Sequence, residues 1–233
     1  DLAGALQVAG DAGRLIPAVW TFDLNDRYNI WSGIIGGMFL ALAYFGCDQS
    51  QVQRYLTGKS IAQAKLSLLF NAVAKIPMQF FILFIGAMVF VFFTFTKPPV
   101  LFDPGVQAKA AAAPDFAQVE SEFDRAWQAR RSAAAALPEA RPAFLAAQKQ
   151  MDAARARAAE LAGQKGFNDT NYIFLTFVTR YMPAGVVGLI MAAIFAAAMS
   201  TISAEINSLA TVSVIDIYRR HVRRQADDRH YLW

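Results

Sequence analysis

The chain has 233 residues, 56% hydrophobic and 17% charged, with a mean hydropathy of +0.31. Soluble domains average about 25% charged residues; here charge is nearly absent from three long stretches and dense between them, which excludes an ordinary soluble domain and marks membrane spans joined by wet loops. The single Cys47 excludes an intramolecular disulfide and a cysteine metal cluster, and a net charge of +4 set beside the apolar stretches makes no case for nucleic acid.

Residues 1–27 are acidic, with Asp1, Asp11, Asp23 and Asp26 against Arg14 and Arg27. They lack the basic start and apolar run of a signal peptide and read as an external loop in an internal piece of a longer protein. Residues 28–95 hold two predicted spans. The first, Tyr28 to Gly46, is uncharged and long enough to cross a bilayer, and Gly33, Gly36 and Gly37 allow close helix approach. The second runs from Leu66 to Phe95 and contains Lys75, Pro77 and Gln79. Between them, near 48–65, lies a linker with Arg54, Lys59 and Lys65 against Asp48 alone, which places it in the cytoplasm.

Residues 96–166 are rich in Ala, Glu, Gln and Arg, strong helix formers, with Pro138 and Pro142 breaking the run. They predict an external helical hairpin, the other reading being a disordered low-complexity loop, in a segment long enough for its basic residues not to govern orientation. Residues 167–183 predict a short helix at the external surface, ending at Pro183. Residues 184–218 form the third span, whose Ala, Ser and Thr content favours packing in a bundle. Residues 219–233 are a basic cytoplasmic loop with Arg219, Arg220, Arg223, Arg224 and Arg229.

Polar residues at membrane depth are costly and need a reason. Lys75 lies about ten residues into its span, about 15 Å deep, where a charge costs about 2.5–3.5 kcal/mol. It either faces a wet cavity and a solute or pairs with a carboxylate on another helix. Ser200, Thr201 and Ser203 sit in the middle of the third span. Such hydroxyls commonly bond back to the carbonyl four residues earlier; the alternative is that they and backbone carbonyls offer hard oxygen ligands to an alkali cation. No carboxylate, imidazole or thiolate accompanies these hydroxyls, Glu205 and Asn207 following one turn later, so a transition metal is not expected. Nor is there a catalytic triad, phosphate loop or dinucleotide fingerprint, so no enzyme is expected.

Two runs carry a family resemblance. YFGCDQSQVQRYLTGKSIAQAKLSL (Tyr44 to Leu68) and AAAMSTISAEINSLATVSVIDIYRR (Ala196 to Arg220) resemble the sodium:solute symporters. The resemblance covers about 28–95 and 167–220 and omits the hairpin. It implies an all-α membrane protein, a fragment of a five-plus-five inverted-repeat (LeuT-like) transporter, with about three transmembrane helices and an external helical hairpin. By the same resemblance, Ser200 and Thr201 are sodium-ligand hydroxyls and Ala197 a carbonyl ligand, while Tyr44 matches an aromatic that stacks over substrate, and Lys75 a lysine near the sugar, in the sugar-transporting branch. Ala41 stands where the sugar-transporting branch has an amide, and QSQVQRY is closer to the branch for monocarboxylates, iodide and vitamins, which lacks an equivalent of Lys75.

The implied function is sodium-coupled symport of a small polar solute, a sugar or small organic anion, by alternating access. A transporter-like membrane sensor is the alternative. No cofactor is expected beyond Na+ as coupling ion. The partners are the solute, sodium and the lipid bilayer of the inner (plasma) membrane, which the protein crosses several times; the sequence leaves oligomeric state and solute open.

Overall fold

A computed structural model describes residues 2–15, 19–23, 29–56 and 58–232. Asp26, Arg27 and Tyr28, the end of the expected external loop and the first residue of the expected first span, lie outside them. The described residues are helical and contain no strand. In chain order they form α1 (Leu2–Asp11), α2 (Ile30–Leu42), α3 (Gln49–Leu56), α4 (Ile61–Phe95), α5 (Pro104–Ala111) and α6 (Phe116–Ala135). There follow α7 (Arg141–Leu161), α8 (Thr170–Tyr181), α9 (Ala184–Thr211) and α10 (Asp228–Leu232). Two helices end in wider, π-helical turns: α2 continues as Ala43–Cys47 and α9 as Val212–Val222.

Among the described residues three helices are long and apolar enough to cross a membrane: Ile30–Cys47, Ile61–Phe95 and Ala184–Val222. At 35 residues, α4 is about 52 Å long. It begins at Ile61, inside the expected linker, because Ser60 and Gln63 cap it. The Ser60 hydroxyl accepts from the Gln63 N–H at 3.2 Å, and the Gln63 side chain accepts from the Lys59 N–H at 3.0 Å. The linker also holds α3, whose start is fixed by Asp48 accepting from the Ser50 N–H at 3.0 Å and its hydroxyl at 2.7 Å. The third span runs beyond residue 218, to Val222.

The chain divides into two units, Asp1–Pro17 with Pro77–Pro183, and Ala18–Ile76 with Ala184–Trp233. In the second unit α2 and α9 are open along their apolar surfaces: Leu40 is 71% exposed, and Leu189 and Met199 are each 70% exposed. Apolar surface on that scale demands a lipid or protein cover.

The first unit has a packed core. α6 and α7 form an antiparallel hairpin, with α5 against it. Val119, Phe123, Ala126 and Trp127 of α6 meet Met151, Ala154 and Ala158 of α7. The alternating alanines let the helices approach closely, while Phe123 and Phe144 are fully buried; burying each side chain contributes about 1.5–3 kcal/mol. Pro142 stands in the first turn of α7, where its missing N–H costs nothing. Gly163, at φ +77°, closes α7, with Gln164 N–H donating to Ala159 O at 2.9 Å.

Two helices here differ from the sequence expectation. The stretch expected to be a loop contains α1, whose Val8 and Ala9 are buried against Ala87 and Val91 of α4. The expected two-helix hairpin gains α5, capped by Asp103, which accepts from the Gly105 N–H at 2.8 Å.

Arg130 ties the hairpin to α4. It is 4% exposed and donates to Phe93 O at 2.6 Å and to Gln148 Oε1 at 2.7 Å. Phe93 O is one of the last four carbonyls of α4, which have no partner within the helix and carry the negative end of its dipole. Burial pushes the Arg130 guanidinium down to about 10, so it stays charged at neutral pH. A second tie joins α7 to the start of α8. Arg155 donates to both Asp169 oxygens, at 2.6 and 2.7 Å, and Asp169 also accepts from the Phe102 N–H at 2.7 Å.

Candidate ion and solute sites

Five residues singled out in the sequence fall into two groups in the second unit. Ala197, Ser200 and Thr201 lie in the middle of α9. The Thr201 hydroxyl donates to Ala197 O at 3.0 Å. Inside an α-helix that carbonyl is also the acceptor for the Thr201 N–H, so both of its lone pairs are engaged. The hydroxyl has spent its proton on the bond and keeps its oxygen lone pairs. The Ser200 hydroxyl has no partner among the described residues, and all three residues are exposed. The arrangement presents two hydroxyl oxygens in an apolar helix, with a carbonyl that becomes available only when the back-bond opens.

The second group is Tyr44 and Lys75. Lys75 Nζ lies 5.8 Å from the Tyr44 ring centroid, a cation–π contact. Tyr44 sits in the π-helical end of α2 and packs edge-on against Phe45, with centroids 5.0 Å apart. No carboxylate among the described residues pairs with Lys75. Two residues on, Pro77 has no N–H to offer the Val73 carbonyl one turn back.

Further along α9, Asn207 Nδ2 reaches Gln53 Oε1 of α3 at 3.5 Å, a weak bond, and Thr211 donates to Asn207 O at 2.8 Å. Sequence reasoning missed the π-helical segments. Such segments concentrate at functional sites, but no residue type announces them. A cleft of about 370 Å³ in the first unit is lined by Gly4, Gln7, Val91, Phe95, Ala134 and Leu137, among others; none of the residues singled out from sequence lines it. Among the described residues no group of three His, Cys, Asp or Glu is placed to hold a metal.

The helices and the site define a class: a membrane-embedded protein with apolar spans that carry polar groups at mid-depth. Residues 148–233 match the model of the sodium:solute symporter family; the match begins inside α7, ahead of the second stretch of the resemblance at 167–220, and does not take in the first, 28–95. Over 70 residues the chain is 49% identical to sodium-coupled monocarboxylate transporter 1 of Homo sapiens, covering 29% of this chain and 11% of that one. It is 30% identical over 189 residues to the sodium/sialic acid symporter SiaT of Proteus mirabilis, covering 80% of this chain and 25% of that one. It is 26% identical over 208 residues to the sodium/glucose cotransporter of Vibrio parahaemolyticus, covering 88% and 28%. The chain is thus recognised as a relative of the sodium:solute symporters. It spans between 11% and 28% of the length of these curated relatives. No solved structure matches it significantly.

Proposed function

We propose that the chain is part of a multi-pass transporter of the inner membrane that couples sodium entry to uptake of a small polar solute by alternating access. It is not an enzyme. Its helices belong to a five-plus-five inverted repeat, with the linker around Lys59 and the tail around Arg223 cytoplasmic and the α5–α7 hairpin external. Ser200 and Thr201 supply hydroxyl ligands to sodium, and Ala197 supplies its carbonyl. The observation that carries this reading is the match of residues 148–233, which take in all of α9, to the sodium:solute symporter family on a helix of membrane length. The Thr201–Ala197 bond keeps both oxygens occupied in the described state. Sodium competes for the same oxygens, and the Thr201 hydroxyl swings off Ala197 when the ion binds.

Tyr44 and Lys75 contact the solute. An ammonium beside an aromatic face, with no described carboxylate partner, suits a small organic anion better than a neutral sugar. The name of one relative, a sialic acid symporter, agrees with an acidic solute, and that of another, a glucose cotransporter, with a sugar. Uptake by the full-length protein in proteoliposomes, with and without a sodium gradient, tests the reading against monocarboxylates, sialic acid and glucose. Sodium-driven uptake of an acid is expected; sodium-independent flux of every solute contradicts it.

A further inference from the structure

We propose that Arg219-Arg220-His221-Val222-Arg223-Arg224, at the end of α9, is a docking surface for the headgroups of anionic phospholipids. The inference rests on the reading of α9 as a membrane span. Four arginines fall within six residues that contain no acid. All four are exposed, and neither Asp216 nor Asp227 forms an ion pair with them among the described residues.

The segment is held in place rather than trailing away. Tyr231 lies under Arg219, with the guanidinium carbon 5.2 Å from the ring centroid. The Tyr231 hydroxyl accepts from the Ala226 N–H at 3.1 Å and donates to Arg223 O. Tyr218 Oη and His230 Nε2 lie 3.0 Å apart. Residues 223–231 therefore fold back on the end of the helix and keep the arginines at its level.

Lipid is the occupant that fits both halves of this surface. Ile217 is 58% and Val222 69% exposed, interleaved with the arginines and continuous with the apolar surface of α9. Tyr218 and Tyr231 are the amphipathic rings that settle at a membrane–water boundary. Arginine clusters directly beyond a span attract anionic headgroups, each charge adding to the affinity, and the guanidinium fork matches a phosphate bidentately.

The test uses the full-length protein in nanodiscs of phosphatidylcholine mixed with phosphatidylglycerol, doped with a photoactivatable form of one lipid or the other. Cross-linked peptides are read by mass spectrometry. The wild type is expected to cross-link phosphatidylglycerol at residues 215–231 in preference to phosphatidylcholine. The Arg219→Gln/Arg220→Gln/Arg223→Gln/Arg224→Gln variant should lose that preference, about tenfold, while its phosphatidylcholine cross-links stay unchanged. The four corresponding Arg→Lys changes should keep most of it, which separates charge from folding. Equal labelling by the two lipids in the wild type, or an undiminished preference in the glutamine variant, overturns the inference alone. Absence of any lipid cross-link at the tail overturns the span reading along with it.

Discussion

Lys75 Nζ stands 5.8 Å from the centre of the Tyr44 ring, on helices whose contact no local sequence rule requires. The pairing explains how a cation can sit in an apolar helix without a described carboxylate. The ring face supplies partial compensation, worth about 2 kcal/mol when desolvated, against the insertion cost of about 2.5–3.5 kcal/mol. The shortfall leaves the ammonium able to gain from an anionic solute. Lys75→Ala in the full-length protein should therefore reduce uptake at least about tenfold, while membrane abundance stays near normal. Lys75→Arg should retain part of the activity. Collapsed abundance with unchanged uptake per molecule would show a structural lysine instead.

Orientation gives a second prediction. In a Cys47→Ser background, single cysteines replace Lys59, Ala135 and Arg223 in turn, and intact cells are exposed to an impermeant thiol reagent. Labelling is expected at position 135 only. Labelling at 59 or 223 but not at 135 would reverse the topology.

The Arg130 tie gives a third. Arg130→Met keeps the apolar stem but leaves Phe93 O and Gln148 without their donor. Unsatisfied buried groups cost about 1–3 kcal/mol each. Amide exchange in α6 and in the last turns of α4 should rise together, about tenfold or more, with exchange in α9 unchanged. Exchange that rises in α6 alone would show that Arg130 does not hold the hairpin to α4.

Much of this fold was legible because membrane spans and alanine-rich helices announce themselves through uninterrupted apolar runs and helix propensity. Gly33 to Leu42 and Val186 to Ile206 read as helix from composition alone. The start of α4 at Ile61 was legible in principle, since Ser60 and Gln63 form a capping pattern, but the polar run before Leu66 obscured it. α1 was not legible: its stability comes from Val8 and Ala9 against α4, a contact between residues far apart in the chain. Arg130 reads in sequence as one more solvent-facing charge of α6, because only the fold brings Phe93 O to it. At the candidate sites, the back-bond of Thr201 is a local rule and was anticipated as one of two readings. The approach of Lys75 to Tyr44 is tertiary, and only the family resemblance grouped those two residues.

The most direct measurement of the central claim is the sodium dependence of solute uptake by the full-length protein in proteoliposomes, compared between wild type, Thr201→Ala, Thr201→Ser and Ser200→Ala/Thr201→Ala. Thr201→Ala removes the hydroxyl proposed as a sodium ligand and barely alters the helix surface. It should raise the sodium concentration for half-maximal uptake about tenfold, the equivalent of about 1.4 kcal/mol, with less effect on solute affinity at saturating sodium. Thr201→Ser should stay close to wild type, and the double variant should be impaired at least as much as Thr201→Ala. An unchanged sodium dependence in the double variant would remove α9 from the ion site and contradict the account.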